Sequence, residues 1–571
     1  MHYLILATDY DGTLASNGKV SEATLEALKR LQKSGRKLIL VTGRQLDDIC
    51  QIFPEVNLFD CAVVENGAVL YFPSTREEFL LGSLPPESFV QALRSRNINS
   101  FSVGKVIVAT EEPHEIEILN VIRELGLDLQ VIFNKGAVMV LPAGINKASG
   151  LGDALSRMDL SVHNTVAIGD AENDLAFLKV CELSVAVANA LPSVKSEADW
   201  VTQGSRGEGV IELIDRLLTQ DMQESSFLSE RHSILLGKLN GDKEVYIQPL
   251  DQNILLAGTS GGGKSTLATG MLERIIEKGY QFCIIDPEGD YQNFDGTIVL
   301  GNAQQIPNPT EVLTILSKPE QNLVVNLMGV KLEDRPLFLA QLLPSLLEMR
   351  VRTGRPHWLV IDEVHHMFHS DWNAAVTLPQ SVNGILMITV NPENVAISAL
   401  SWVDTIIAVK SPMQTITDFC KTVGHELPKD SLPSELVSGE GVAWFLKTQE
   451  QPFQFEVIPP RQERQRHMRN YAEGNLGVGN DRCFYFRGED GQLNLKAQNL
   501  MMFLELAAGV DDITWLHHLH RQDYSNWLQN SIKDETLAEE VSQIETTTDI
   551  SPSQSRDRIK SAIEKRYTLP V

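Results

Sequence analysis

Two aspartates stand one residue apart, Asp9 and Asp11, directly after the apolar run LILAT. Such a run predicts a buried strand, and open α/β sheets place ligands at the carboxyl ends of their strands. A carboxylate pair there, with Gly12 freeing the backbone, suits a nucleophile and an acid/base sharing one Mg2+. A carboxylate can attack phosphorus in line, giving an aspartyl-phosphate that water then hydrolyses. The metal and a fixed cation offset charge on the transferring group. Three further segments follow in order, each after an apolar run: VTGR at 41–44, Lys147, and GDAENDLAF at 169–177. Together with DYDGT at 9–13 they form the set of groups that a phosphatase needs.

A second phosphate chemistry begins at GTSGGGKST, 258–266, which fits GxxxxGK[ST]. The strand-like NILLA precedes it, and Leu267, Met271, Ile275 and Ile276 form a helical stripe behind it, the context that makes this motif meaningful. Gly258 opens the loop. Backbone N–H groups of Thr259, Ser260, Gly261, Gly262, Gly263 and Lys264 are expected to cradle phosphates at a helix N-terminus. Lys264 should reach the β- and γ-phosphates of ATP, and Ser265, followed by Thr266, should bind Mg2+. Downstream, Leu359, Val360 and Ile361 run into Asp362 and Glu363. Asp362 is expected to hold the metal-water shell and Glu363 to polarise the attacking water. The chain therefore reads as a fusion of two enzymes, a phosphatase and an ATPase.

The first set of segments resembles the haloacid dehalogenase superfamily over nearly all of residues 1–217. The resemblance implies that Asp9 is the nucleophile and that Asp11 protonates the leaving oxygen, then activates water. It implies that Thr42 and Lys147 hold the phosphoryl oxygens. Asp170 would complete a Mg2+ shell with Asp9 and Asp11, while Asn173 and Asp174 orient it from close by. ENGA at 65–68 and the insertion before Lys147 resemble the Cof-type branch, whose α/β cap selects the substrate. The overall size is similar to archaeal phosphoglycolate phosphatases and sucrose-phosphate phosphatases, so a small phosphomonoester such as a sugar phosphate or phosphoglycolate is the expected substrate.

The second set resembles the HerA/FtsK group of ring-forming ATPases over about 234–470, on DPEGDY at 286–291, DEVHH at 362–366 and TVNP at 389–392. Asn391 stands where that group usually has Gln, at the position that senses the γ-phosphate. The resemblance implies a homo-oligomer, in that group a hexamer, with a neighbour's arginine completing the site. Arg350, Arg352, Arg355 and Arg461 are the candidates. His365, His366 and His369 lack the spacing of a zinc site and are expected on a solvated helix. His517, His518 and His520 are expected to serve packing. The basic run 461–469 is expected to form a solvated exit helix.

Composition bounds the partners. The 571 residues exceed one core, and a prior of roughly 100–200 residues per domain suggests several units. A formal charge of −26 disfavours nucleic acid, whose binding draws on basic surfaces. A DNA-handling translocase with an accessory phosphatase nevertheless stays an alternative, as does an ATP-sensing scaffold that gates the phosphatase. Six scattered cysteines without a CxxC pair argue for reduced thiols, no structural zinc and a cytoplasmic setting. No apolar run approaches the ~18 residues of a membrane span. Apolar runs alternating with helical patterns give an α/β class: a Rossmann-like core over 1–73 and 143–217, a small α/β cap over 74–142, and a linker over 218–233. A P-loop ATPase over 234–470, a small accessory domain over 483–545 and a tail over 546–571, read as a Ser/Thr/Pro-rich connector and a short charged helix, complete the expected order.

Overall fold

The computed structural model describes residues 2–98, 100–134, 136–222, 231–239, 243–250, 252–259, 262–369, 382–429, 432–448, 451–461, 483–488, 493–497, 499–532, 534–547 and 550–567. They fall into two units, one through residue 461 and one beyond it.

The first unit holds two large α/β sheets. In the amino-terminal sheet the strand order is Trp200–Val201, Leu183–Ala186, Thr165–Gly169, Ile5–Thr8, Lys37–Val41, Cys61–Val64, Val69–Phe72, Glu77–Leu80. Pairing is parallel up to Cys61–Val64, and the last two strands add antiparallel. The central strands are buried along their length apart from Lys37, as in a parallel sheet covered on both faces. Glu22–Lys33 is one covering helix. Ser21 caps it by accepting from the Thr24 N–H, and it buries Leu25, Leu28 and Leu31. Chain order reverses beside Ile5–Thr8, so a switch point opens at its carboxyl end, where Asp9 follows.

Two boundaries differ from the sequence reading. Glu77–Leu80 pairs with Val69–Phe72 and extends the core sheet, so the insertion proper starts later than residue 74. Its own sheet runs Phe101–Val103, Val108–Glu111, Ala137–Pro142, Leu129–Asn134, with helices Glu87–Ser95 and Glu115–Leu125 packed around Val108, Val138 and Val140. At the other end, helix Gly207–Gln220 runs into the segment expected to be linker, since its apolar stripe continues to Leu217.

The second sheet has eleven strands among the described residues. Asn253–Ala257 lies between Ile385–Thr389 and Thr405–Val409, with Trp358–Ile361, Phe282–Asp286, Asn322–Asn326 and Thr297–Leu300 continuing in parallel beyond Ile385–Thr389. Glu440–Phe445, Phe453–Val457, Ile234–Lys238 and Glu244–Ile247 extend the other edge antiparallel.

A buried polar seam joins the two sheets. Tyr280 donates its hydroxyl to Glu182 Oε2 at 2.6 Å, and Arg355 Nη2 donates to the Asp159 carbonyl at 2.6 Å. His357 Nδ1 accepts from the Gln281 N–H at 2.9 Å, so its Nε2 carries the proton toward Asn164 Oδ1 at 3.2 Å. Asn164, Glu182, Gln281 and His357 each immediately precede a parallel strand. The seam thus lies at the amino ends of both sheets.

In the second unit the hairpin Phe484–Phe486 and Leu495–Ala497 packs with helices Leu500–Gly509, Asp512–His520, Asp523–Trp527 and Glu535–Glu545. Phe484, Phe503, Trp515, Tyr524 and Trp527 form its aromatic centre. The segment expected as a tail supplies helix Pro552–Tyr567, which buries Ile559 and Ile563 in that same core and accepts the Trp515 indole N–H on Ser555. Its apolar positions are few among many charges, so the stripe was inconspicuous in sequence. His518 accepts the Arg487 N–H on Nε2 and faces Asp523 through Nδ1, a packing role.

Candidate active sites

At the first site the strands deliver Asp9, Thr42 and Asp170 to one edge, each directly after its strand. Lys147 opens helix Lys147–Arg157, which Asn146 caps through the Ala148 and Ser149 N–H groups. Its side chain, 1% exposed, places Nζ 2.6 Å from Asp9 Oδ1 and 2.5 Å from Asp174 Oδ1. Asp174 Oδ2 accepts the backbone N–H groups of Asp170 and Ala171, both at 2.9 Å. Asn173 Nδ2 donates to Asn66 Oδ1 at 3.2 Å.

Carboxylate oxygens of Asp9, Asp170 and Asp174 lie within 4.8 Å of one another, all buried. Burial and then the Asp174 charge push Asp9 up to about 7, against the pull of Lys147. Burial works against the Lys147 charge too, but Asp174 and Asp9 outweigh it and hold Lys147 above its ordinary value. Three buried carboxylates compete for one ammonium, and an all-oxygen set of this kind fits a hard divalent ion such as Mg2+.

The side chain of Asp11 lies outside that group of three. Arg44 grips it twice, Nε to Oδ2 at 2.6 Å and Nη2 to Oδ1 at 2.8 Å, and reaches Asp48 at 2.6 Å with Nη1. A rigid guanidinium fork fixes a carboxylate in this way. Arg44 was not singled out from sequence, although it directly follows the Thr42-Gly43 turn.

Glu65 was also missed as a working residue. It and Asn66 and Gly67 all have positive φ, at 51°, 56° and 103°. A Cβ on Gly67 would lie 1.9 Å from the Asn146 carbonyl oxygen, so only glycine lets the Lys147 helix approach. The turn buries the Glu65 carboxylate, which accepts the N–H groups of Lys105, Val106 and Ile107 at 2.8, 2.8 and 3.0 Å. Those residues belong to the cap, and Gln45 meets the cap again at Ser102 at 3.1 Å.

At the second site Gly258, Thr259, Gly262 and Gly263 lead into helix Lys264–Glu277; Ser260 and Gly261 lie outside the described residues. Lys264 Nζ donates to the Gly258 carbonyl at 2.8 Å and the Thr259 carbonyl at 3.2 Å. Burial pushes Lys264 below its ordinary value, opposed by Glu363, Asp362 and Glu288. Ser265 and Thr266 open the helix after it, and Asp362 is buried. Glu363 is held at φ 42° and donates its N–H to Asp362 Oδ1 at 3.0 Å. Asn391 donates its N–H to Thr389 Oγ1 at 3.3 Å, and that hydroxyl also meets His365 Nδ1 at 3.2 Å.

Two of the four arginine candidates are spent inside the fold. Arg350 donates to the carbonyls of Pro356, Asn383, His357 and Gly384, and Arg355 is fully buried in the seam. Arg352 and Arg461 stay exposed, Arg461 paired with Glu277 at 2.5 Å. Residues 462–469 of the basic run lie outside the described residues. His365 and His366 sit in the 3-10 turn Val364–His366 instead of the expected solvated helix, and the metal-ready groups among the described residues exclude them.

Comparison with known proteins matches both halves. Residues 6–94 and 87–214 match the haloacid dehalogenase-like hydrolases, and residues 234–349 match the central domain of helicase HerA. Phosphoglycolate phosphatase 2 of Saccharolobus solfataricus is 31% identical over 230 residues, 38% of this chain and 93% of its own length. Phosphoglycolate phosphatase of Methanothermobacter thermautotrophicus is 29% identical over 223 residues, 37% of this chain and 98% of its own. A haloacid dehalogenase-like hydrolase structure from Bacteroides thetaiotaomicron aligns with TM-score 0.34 and 23% identity, covering 38% of this chain and 99% of that one. No helix among the described residues is long and apolar enough to cross a membrane. The chain belongs to the haloacid dehalogenase-like hydrolases through its amino-terminal part, a phosphatase-type enzyme fused to a P-loop domain of the HerA central type.

Proposed function

We propose that residues 1–217 hydrolyse a small phosphomonoester with Mg2+, through a phosphoryl group carried on Asp9. The buried bridge of Lys147 between Asp9 and Asp174, beside Asp170, carries this reading. Asp9 and Asp170 would hold Mg2+, which when bound offsets charge on the phosphoryl group. Lys147 and the Thr42 hydroxyl bind the phosphoryl oxygens, and Asp174 holds Lys147 in place. An Asp9 oxygen attacks phosphorus, the bond to the leaving oxygen breaks, and Asp11, freed from the Arg44 fork and protonated from solvent beforehand, gives that oxygen its proton. Asp11, now a carboxylate, takes a proton from water, whose oxygen attacks phosphorus and breaks the bond to Asp9. In the structure Arg44 holds Asp11 as a carboxylate, so the acid step requires that pair to open. The names of the relatives make 2-phosphoglycolate the first substrate to test.

The P-loop half hydrolyses ATP: Gly258 to Thr266 cradle the phosphates, Ser265 and Asp362 would hold Mg2+, Glu363 polarises water and Asn391 faces the γ-phosphate. Its match to HerA supports assembly into a ring and a second reading as a DNA-handling motor. ATP turnover measured with and without DNA separates the readings: strong stimulation favours the motor, indifference the phosphatase-led fusion. Asp9→Asn should abolish aryl-phosphate hydrolysis while ATP turnover persists, and Lys264→Ala should do the reverse. Phosphate release surviving in Asp9→Asn would remove Asp9 as nucleophile.

A further inference from the structure

A second group of ligand-type side chains lies in the seam, away from both phosphate sites. His163, Glu182 and His232 are buried, and one ligand atom of each lies within 4.8 Å of the others. They arrive from separate segments, ahead of strands Thr165–Gly169, Leu183–Ala186 and Ile234–Lys238. His232 Nε2 lies 3.0 Å from the Cys181 carbonyl oxygen. A carbonyl only accepts, so Nε2 carries the proton and a neutral ring presents a lone pair at Nδ1. That lone pair faces Glu182 Oε2 at 4.0 Å. The same oxygen already accepts the Tyr280 hydroxyl, so the 4.0 Å gap to His232 Nδ1 is the side on which a cation could enter. Ligand atoms about 2.0–2.2 Å from a single zinc ion span such a gap.

The third ligand and the outer support are in place. His163 Nδ1 donates to the same Glu182 oxygen at 2.8 Å, a proton that a metal ion would displace on binding, and its ring stacks on Tyr280 at 3.8 Å. Tyr280 donates its hydroxyl to Glu182 at 2.6 Å. Ligating residues characteristically have such partners, which fix ring and carboxylate orientation. Among the described residues, the ion pairs of Glu182 are to imidazoles alone. We propose that His163, Glu182 and His232 form a site for one divalent transition-metal ion of the zinc class, stapling the phosphatase to the strand that enters the P-loop sheet. Two imidazoles and one carboxylate suit zinc or cobalt over magnesium. The scattered cysteines pointed away from zinc, but this site uses none of them.

The test uses the full chain carrying Asp9→Asn and Asp170→Asn, which disables the acidic cluster, dialysed against Co2+ without nucleotide. Elemental analysis should find one cobalt per chain, with the visible absorption of a low-coordinate nitrogen-and-oxygen site. Adding His232→Ala should remove both signals. Tyr280→Phe, which keeps the ring packing, should weaken cobalt binding about 10–100-fold. Absence of cobalt from the Asp9→Asn, Asp170→Asn protein overturns the proposal, as does equal retention in His232→Ala and His163→Ala. If circular dichroism shows His232→Ala and His163→Ala unfolded, Tyr280→Phe decides, and unchanged affinity there overturns the proposal.

Discussion

Lys410 has a backbone that few non-glycine residues adopt, φ 63°, directly after strand Thr405–Val409. That strand pairs with the one feeding the phosphate loop, and a Cβ built on Gly262 would lie 3.0 Å from the Lys410 Cβ. The side chain therefore runs along the loop as a second cation beside Lys264, and its charge counts among those that lower Lys264. A strained residue at a phosphate loop is the kind that function retains. Lys410→Ala should lower kcat/KM for ATP about 10–100-fold, the worth of one charge-assisted hydrogen bond, with aryl-phosphate hydrolysis unaffected. A different residue sets a pH limit. Burial holds His518 below its ordinary 6.5, against the pull of Asp523, and its Nε2 must stay unprotonated to accept the Arg487 N–H. The unfolded chain takes the proton first, so this contribution is complete above 6.5 and is lost as pH falls toward the folded value. Protection of amides in 499–532, taken relative to their intrinsic exchange at each pH, should fall between pH 7 and 5, and His518→Asn should flatten that dependence.

The turn holding Glu65, Asn66 and Gly67 works as an element, joining the catalytic edge to the cap. The three cap N–H groups have one acceptor pair, a buried carboxylate whose approach leaves no room for a Cβ at Gly104, where it would lie 2.6 Å from Glu65 Oε1. Removing that carboxylate frees the cap without touching Asp9 or Lys147. Glu65→Ala should reduce kcat/KM about 10–100-fold for a metabolite that the cap must enclose. Hydrolysis of a small aryl phosphate should fall less, and an equal loss on both substrates would make Glu65 a plain structural residue. Such a link is hard to read in sequence, because Glu65 meets Lys105 through space and the cap segment has no motif. Asp9, Thr42, Asp170 and Asp362 were legible because each directly follows an apolar run that reads as a buried strand, and Lys264 because it closes a glycine loop between such a run and a helical stripe. The clamp on Asp11 and the sheet partner of Glu77–Leu80 were not legible, for the opposite reason. A salt bridge to Arg44 and a pairing with Val69–Phe72 depend on tertiary partners that local pattern does not name. The same holds for helix Pro552–Tyr567, whose short apolar stripe gains meaning only against the aromatic core it covers.

At the scale of the first unit, the two sheets meet at their amino ends and carry their chemistry at their carboxyl ends. Neither site therefore needs the other for its groups, and what the halves share is folding. Arg355 is the centre of that sharing. It is fully buried, and burial pushes it down to about 10, with Asp159 and Glu320 opposing. Its guanidinium donates to Gln281 Oε1 and the Leu316 carbonyl through Nη1, and to the carbonyls of Asp159 and Ser317 through Nη2. Only the Asp159 bond crosses into the phosphatase, while the others tie down the edge of the P-loop sheet that receives it. Arg355→Met keeps the volume but strands these acceptors, at about 1–3 kcal/mol for each left dry. The variant should melt several degrees lower, and a single calorimetric transition of the unit should split in two, each half still hydrolysing its own substrate below its midpoint. Arg461→Ala, which removes an exposed pair, should leave the transition unchanged. An unsplit transition in Arg355→Met would mean that the halves unfold together for reasons other than this arginine, with the Glu182 and His357 contacts then carrying the coupling.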